Sequence, residues 1–345
     1  MHVVVLCDDN LLGQAVLGAL HANRVRSWLI TTSKARWLRY SVRTTLVMTV
    51  DGPLESRTAA IIDEINDLHL RYGIDVVLPT DVRGALFLCD NRQRLQPTLF
   101  PIAERPVLEL LDDKWRFALL CQQLGIPTPR TLYFDKAAIN VDDVGRKIGF
   151  PVVMKPINEW GGAGVVQAKS RQQLGSIMAT YCYPRVVVQE YIEGTDVGVS
   201  LFAREGEVLC EASFFCGTKT RTEFAPIPQF LECARHVIEA TGYTGVANFD
   251  GRLDRSGNIH VFECNPRFFF RLNFLRIAGI DFLRLGLPGT DATSGCEATG
   301  VMYSLTDMRG LMRMLIDRTT ARRMFYSWYG FLSDPAPRLM SRLSK

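Results

Sequence analysis

The first hundred residues alternate between short apolar runs and stretches with helical spacing. Four runs have the length of buried parallel strands: residues 2–6, 28–31, 46–50 and 74–78. Between them, apolar residues recur three and four positions apart, as in 11–20 and 61–68, which is the period of an amphipathic helix. This alternation predicts a doubly wound α/β domain.

The turn after the first predicted strand reads CDDNLLG, from Cys7 to Gly13. It lacks the G-x-G-x-x-G spacing that lets a backbone approach a dinucleotide pyrophosphate closely. The sequence therefore argues against a nicotinamide or flavin dehydrogenase.

Near residue 110 the pattern changes. Asp112 is expected to be the N-cap of a helix that runs through Leu124 and ends at Gly125. Strands and short helices then alternate to about residue 205, after which strands dominate. The later elements are expected as strands at 208–215, 246–253 and 259–264 and a helix at 228–241.

Composition narrows the class of protein only slightly. Of 345 residues, 47% are hydrophobic and 22% charged, as in a globular protein with a full core. The net charge of +4 is slight and leaves acidic small molecules such as nucleotides open as ligands. We predict no nucleic-acid partner, and no membrane span, because no apolar run reaches about 18 residues.

Nine cysteines are scattered along the chain without C-x-x-C or zinc-finger spacing. Their number is odd, and no basic segment precedes the apolar start of the chain. The sequence therefore predicts a cytoplasmic protein with reduced thiols.

A lysine and a glycine-rich loop follow one another in the middle of the chain. The segment PVVMKP delivers Lys155 at the end of a predicted strand, and Gly161, Gly162 and Gly164 come next. A lysine is a point charge suited to phosphate oxygens, and glycines let backbone N–H groups approach a polyphosphate. The alternative interpretation is a salt-bridging lysine followed by a hairpin turn.

Lys114 falls in the first turn of the helix that is expected after Asp112. A cation is unfavourable there because a helix N-terminus carries partial positive charge. Either a bound anion or ordinary solvation of a surface lysine accounts for it.

The segment VVVQEYIEGTD, residues 186–196, runs from an apolar strand into an extended polar stretch. Extended backbone can offer N–H and C=O groups to an adenine edge, and a carboxylate can hold ribose hydroxyls. An ordinary strand followed by a turn is the alternative.

Three oxygen-bearing residues gather in NFDGRLDRSGNIHVFECNPRF, residues 248–268. Glu263 and Asn265 share one face of a strand because they are two residues apart, and a hairpin centred on Ser256 brings Asp250 close to both. Such oxygen ligands suit Mg²⁺. Arg267 adds a planar fork for phosphate or carboxylate.

In this order and spacing, the four segments resemble the ATP-grasp superfamily, and most closely its carboxylate–amine ligases, the group with D-aspartate ligase-like proteins. Further similar segments are VVLPTDVRGALFLCDNRQRL, LDDKWRFALLCQQLGIPTPRT, NFLRIAGIDF and SDPAP. The resemblance implies an α/β architecture, with an ATP-grasp fold preceded by a doubly wound domain. The implied boundaries are a pre-ATP-grasp domain at 1–109, an ATP-grasp domain at 110–290 with a lid subdomain at 128–192 and a large subdomain at 193–290, and a C-terminal extension at 291–345.

The resemblance also assigns roles to particular residues. Lysines would contact ATP phosphates, glycines would form a lid, and the polar stretch would hold adenine and ribose. The implied nucleotide contacts are Lys114, Lys155, Gly161, Gly162, Gly164, Gln189, Glu190, Ile192, Asp196 and Lys219. The implied metal ligands are Asp250, Glu263 and Asn265, and the implied catalytic residues are Arg267 and Lys155.

The implied reaction is phosphorylation of a carboxylate by ATP to an acyl phosphate, followed by attack of an amine and release of ADP and phosphate. Mg²⁺ is the expected metal, with Mn²⁺ as an acceptable substitute. The expected partners are small carboxylates and amines, and a homodimer is compatible with the sequence. A non-catalytic ATP-binding protein and a carboxylase or carbamoyl-type enzyme are the alternatives.

Two regions depart from the family pattern or lie outside it. Phe269, Phe270 and Arg271 stand where relatives often have a small Gly–Ser element, which leaves substrate identity open. The basic, aromatic segment from Arg309 onward either packs onto the protein or lies on an anionic membrane surface. We favour packing.

Overall fold

The computed structural model describes residues 1–159, 161–216, 221–289, 298–303 and 334–343. Within these ranges, no helix has the length and apolar character needed to cross a membrane.

The N-terminal part forms a five-stranded parallel sheet with the order β3-β2-β1-β4-β5. Its strands are β1 (His2–Cys7), β2 (Arg26–Thr32), β3 (Thr45–Val50), β4 (Val76–Pro79) and β5 (Thr98–Leu99). Its helices are α1 (Asn10–Ala22), α2 (Thr58–Tyr72) and α3 (Val82–Asn91), with 3₁₀ turns at Ser33–Tyr40, Leu54–Arg57 and Arg92–Arg94. The order reverses beside β1, which confirms the predicted doubly wound pattern.

Two helices lead out of this sheet, α4 (Arg105–Asp112) and α5 (Lys114–Gln123). Asp113 caps α5, because its side chain accepts hydrogen bonds from the first two free amides of the helix. The prediction that Asp112 caps this helix is wrong, since Asp112 instead ends α4. Lys114 is the first residue of α5, as expected.

A four-stranded antiparallel sheet follows, in the order β6-β9-β7-β8. It consists of β6 (Thr131–Asp135), β7 (Val152–Pro156), β8 (Val166–Ala168) and β9 (Arg185–Glu190), accompanied by a 3₁₀ turn at Lys136–Ala138 and the helices α6 (Val141–Lys147) and α7 (Arg171–Thr180). One face buries Met154 and Val188 against Leu174 of α7. The other face therefore carries the alternate residues of the same strands, including Lys155 and Gln189.

A six-stranded sheet, in the order β14-β13-β10-β11-β12-β15, completes the described core. Its strands are β10 (Gly194–Arg204), β11 (Glu207–Phe215), β12 (Arg221–Phe224), β13 (Gly245–Asp254), β14 (Ile259–Asn265) and β15 (Gly300–Tyr303). Helices α8 (Pro228–Thr241), α9 (Leu272–Ala278) and α10 (Phe282–Gly286) belong to this part of the chain, whereas α11 (Ala336–Leu343) packs against α1 and the 3₁₀ turn at Ser33–Tyr40. Helix α8 begins and ends as predicted, with Gly242 in the left-handed conformation at its C-terminus.

The two faces of the large sheet differ in character. One face buries Val199, Phe249 and Val261 against Phe230 and Val237 of α8. The opposite face joins the N-terminal sheet through a second apolar cluster that includes Phe100 and Phe214. Polar residues of β13 and β14 lie on this second face, beside the cluster.

The last described segment returns to the N-terminal part of the chain. The Ser41 hydroxyl and the Val42 amide donate to the Asp334 carboxylate at 2.5 and 3.1 Å. Arg43 lies 3.8 Å from the same carboxylate. The predicted basic, aromatic segment falls mostly at 304–333, outside the described residues.

Candidate active site

A β-bulge sets the geometry of the acidic residues. Strands β13 and β14 pair around a turn centred on Ser256, as predicted, but the register shifts by one residue between Asp250 and Gly251. Beyond the shift, Asp250 lies directly opposite Glu263 and Asn248 lies opposite Asn265. The bulge therefore brings two carboxylates and two carboxamides to one face of the sheet.

Hydrogen bonds fix the side chain of Asp250. The Asn248 amide donates to Asp250 Oδ1 at 3.2 Å, and the Asn265 amide donates to Asp250 Oδ2 at 3.0 Å. The Ser200 hydroxyl donates to Asn248 Oδ1 at 2.7 Å, and the Arg267 guanidinium donates to Asn265 Oδ1 at 2.8 Å. Each amide thus has its oxygen and its nitrogen hydrogen-bonded, which determines its orientation.

Burial raises the pKa of two carboxyl groups in this cluster. The pKa of Asp250 is raised to about 7, first by burial and then by the facing Glu263, although Arg267 lowers it. Asp112, at the end of α4, has a pKa raised to about 6, mainly by burial and despite Lys114 and Arg267. Asp112 is a member of the site that the sequence does not reveal, because its position before a helical pattern predicts a helix cap.

Lys155 faces the acids from the small sheet. The residue is 8% exposed, and its ammonium lies 4.3 Å from the centroid of the Phe262 ring. Burial lowers the pKa of Lys155 to about 8, while Glu263 raises it. Phe262 was also missed in the sequence, because only the bulge turns it toward the site.

Lys114 links α5 to both the acids and the glycine loop. Its ammonium donates to the Glu159 carbonyl at 2.7 Å and lies 3.4 Å from Glu263. Its side chain is only 4% exposed. A solvated surface lysine, the alternative interpretation of Lys114, is therefore wrong.

The glycine loop lies beside these lysines. Gly161, Gly162 and Gly164 all have φ between +66 and +79, a region that favours glycine. A Cβ on Gly164 would come 2.5 Å from the Tyr183 ring, whereas one on Gly162 would meet nothing within 4 Å. The loop is therefore open at Gly162 and packed at Gly164.

Gln189 carries a buried carbonyl oxygen without a partner. The Thr131 hydroxyl donates to the Pro129 carbonyl at 2.8 Å, so its oxygen accepts the Gln189 amide at 3.0 Å. This orientation leaves Gln189 Oε1 buried and without a hydrogen bond from any described residue. Such an atom calls for an N–H donor.

Three other residues predicted to contact the nucleotide already have partners within the protein. Glu190 points to the opposite side of β9 and pairs with Arg130 at 3.0 Å. Arg252 donates to the Ile192 carbonyl at 2.8 Å and to Asp196 at 2.5 Å. Lys219 lies outside the described residues.

The acid cluster fits a hard divalent cation. Among the described residues there is no group of three His, Cys, Asp or Glu side chains with metal-binding geometry. The candidate set is instead two carboxylates, Asp250 and Glu263, with the amide oxygen of Asn265. Mg²⁺ suits such a set because it retains waters and phosphate oxygens in its octahedron.

The part of the chain that holds this site is similar to known proteins. Residues 111–269 match the family model described as the ATP-grasp domain. Over 219 residues the chain is 28% identical to a D-alanine--D-alanine ligase of Nitrosospira multiformis, a match that covers 57% of this chain and 67% of that protein.

Solved structures agree in fold. An L-amino acid ligase from Bacillus licheniformis matches with a TM-score of 0.63 at 18% identity, over 85% of this chain and 74% of that one. The biotin carboxylase domain of Hydrogenobacter thermophilus 2-oxoglutarate carboxylase, in complex with MgADP, matches with a TM-score of 0.64 at 18% identity. The match covers 87% of this chain and 73% of that one. The predicted ATP-grasp fold is confirmed.

Proposed function

We propose that this chain, whose residues 111–269 match the ATP-grasp domain model, is an ATP-dependent ligase that joins a small carboxylate to an amine. The observation that carries the proposal is the convergence of two buried lysines and two half-buried carboxylates in the cleft between the small and the large sheet. Lys155 comes from the small sheet and Lys114 from the start of α5, and both approach Asp250 and Glu263 of the large sheet. The names of the similar ligases agree with this class of reaction.

Bound ATP would supply partners for the polar residues of the small sheet and for Lys114. The adenine amino group would donate to the orphaned Gln189 Oε1. The triphosphate would replace Glu263 and the Glu159 carbonyl as the partner of Lys114, and would restore the full charge of Lys155. The glycine loop would cover the phosphates with its backbone amides.

Asp250, Glu263 and Asn265 would hold Mg²⁺, which neutralises phosphate charge when bound. Asp250 is preorganised for this role, because two amides hold it against Glu263. Arg267, held by Asn265 and by the Phe268 carbonyl, would steady the transferred phosphoryl group.

In the proposed reaction, the substrate carboxylate oxygen attacks the ATP γ-phosphorus and the bond to ADP breaks. The amine nitrogen then attacks the acyl carbon, loses a proton to solvent and expels phosphate. The chain contributes positioning and electrostatic stabilisation rather than a covalent nucleophile.

An ADP-release screen over paired amino acids and small carboxylates tests the function. ADP formation that requires both a carboxylate and an amine supports ligation. ADP formation with bicarbonate and no amine would instead indicate a carboxylase. The absence of ADP formation with every pair, from protein that binds MgATP, would favour the non-catalytic alternative.

A further inference from the structure

Arg271 lies on the same sheet face as the acid cluster, but several strands away. Asp250 pairs across the sheet with Gly198, which pairs in turn with Phe214. Phe214 pairs with Phe224, and Thr222 lies two residues from Phe224. Cross-strand partners share a face, so Thr222 faces the same space as Asp250, about 14 Å along the sheet at three strand spacings.

The guanidinium of Arg271 reaches this face. It donates to the Thr222 hydroxyl at 2.5 Å and stacks at 4.9 Å over the Phe270 ring. Phe269, two residues earlier, stacks on Phe214 at 5.3 Å. The phenylalanines therefore fix the segment that the sequence showed to be unusually bulky, and Arg271 is held in place by packing.

The partners of Arg271 do not neutralise its charge. Thr222 is neutral, and so is the Cys216 thiol that hydrogen-bonds the guanidinium, since burial raises the pKa of Cys216 to about 11. Among the described residues, no carboxylate forms an ion pair with Arg271. A half-buried guanidinium without a carboxylate partner favours an anion with two oxygens.

Arg267 differs from Arg271 in its position relative to the acid cluster. Its guanidinium donates to Asn265 and to the Phe268 carbonyl and lowers the pKa of both Asp112 and Asp250, whereas Asp250 has only the weakest of the influences on the pKa of Arg271, after burial and Cys216. Arg267 therefore belongs to the reacting centre. Arg271 is instead anchored at Thr222, three strands away from Asp250, so it lies to one side of the acid cluster, at the distance of the far end of a small substrate.

We propose that Arg271 binds a carboxylate that is not activated, on the amino acid or dicarboxylic acid that reacts at the acid cluster. This rests on the proposed function and adds a substrate class: one reactant carries a second carboxylate, which Arg271 holds in bidentate fashion. Thr222 is a positioning residue, because it orients the guanidinium.

The test compares carboxylates with their carboxamides. The full chain is held with Mg²⁺ and a non-hydrolysable ATP analogue, and its melting temperature is measured with L- and D-amino acids, dicarboxylates and the matching carboxamides. At least one carboxylate should stabilise the protein where its carboxamide does not. In Arg271→Gln this ligand should bind about 10- to 100-fold more weakly, the loss expected for charge-assisted hydrogen bonds.

Three variants separate recognition from damage to the fold. Arg271→Lys should retain part of the discrimination, and Thr222→Val should weaken it less than Arg271→Gln does. Arg235→Gln, on α8 behind the sheet, should match the wild type. The affinity for the ATP analogue should be the same in all of them.

Several outcomes would overturn the assignment. They are an equal preference for carboxylate in wild type and Arg271→Gln, no stabilisation of the wild type by any carboxylate, or loss of nucleotide affinity in Arg271→Gln. ADP release measured in parallel separates the two proposals. Carboxylate recognition without ligation would contradict the proposed function alone, and ligation unaffected by Arg271→Gln would contradict this inference alone.

Discussion

The two sides of the cleft bury opposite charges by different means. On the small sheet, Lys155 and Gln189 are single polar residues among apolar neighbours, each short of a partner. On the large sheet, Asp250 belongs to a network of amides and an arginine, and Glu263 faces Asp250 and pairs with Lys114. The lysine side therefore depends on an incoming ligand, whereas the acid side is organised in advance.

Burial pushes both sides toward neutrality in the absence of ligand. It lowers the pKa of Lys155 to about 8 and raises that of Asp250 to about 7. A polyphosphate with a divalent cation supplies the charge that each side lacks. The contrast implies that changes on the acid side affect catalysis most, and that changes on the lysine side mainly affect nucleotide affinity.

The largest loss of ADP release is expected for Glu263→Gln. The change keeps the shape but removes half of the facing carboxylate pair, so metal and transition-state stabilisation should fall and ADP release should drop at least about 100-fold. Thermal melting should stay near that of the wild type, because a like-charge repulsion is also removed. Glu239→Gln, on α8, is the matched control, and near-normal ADP release from Glu263→Gln would refute the metal assignment.

Lys155 should make nucleotide affinity depend on pH. A bound polyphosphate favours the charged lysine, so ATP binding takes up a proton once the pH exceeds about 8, the pKa of Lys155. The affinity for ATP should therefore fall as the pH rises through this value, approaching about tenfold per pH unit. Calorimetry across this range measures the trend.

Two variants are needed to interpret that pH dependence. Lys155→Met should bind ATP weakly and with a flat profile over the same range. Lys169→Met, which removes an exposed lysine, should keep the wild-type slope. A slope that survives in Lys155→Met would assign the proton to another group.

A smaller effect is expected for Gln189→Leu, because a single neutral hydrogen bond is lost. We expect the KM for ATP to rise about 5- to 10-fold, with a smaller change for ITP, whose base carries a carbonyl in place of the amino group. Glu190→Gln is the control, since Glu190 faces Arg130 on the opposite side of β9. Equal losses for ATP and ITP would mean that Gln189 does not face the base.

The smallest effect on chemistry is expected outside the cleft. Asp334→Ala removes the acceptor of the Ser41 and Val42 hydrogen bonds, and should lower the free energy of unfolding by about 1–3 kcal/mol. ADP release per folded molecule should not change. Denaturant unfolding beside the exposed control Glu207→Ala measures the difference, and unchanged stability would mean that this contact holds nothing together.

Local signals in the sequence were sufficient for most elements. Apolar spacing predicted the strands of the first sheet, and Pro228 with Gly242 marked both ends of α8. The placement of Lys114 in a first helical turn also followed from local signals. These features depend on residues a few positions apart, which is why a single chain reveals them. The Asp112 prediction failed because Asp113, the next residue, meets the same criteria and is the one with extended backbone.

Only the tertiary structure decided how the site is assembled. The alternation of strand residues gave Glu263 and Asn265 a common face, but the bulge opposite Gly251 decides that Asp250 faces Glu263. The contacts of Arg271 with Thr222 and of Asp334 with Ser41 join residues far apart in the chain. Register and long-range pairing depend on how whole sheets pack, so the propensities of single residues do not determine them.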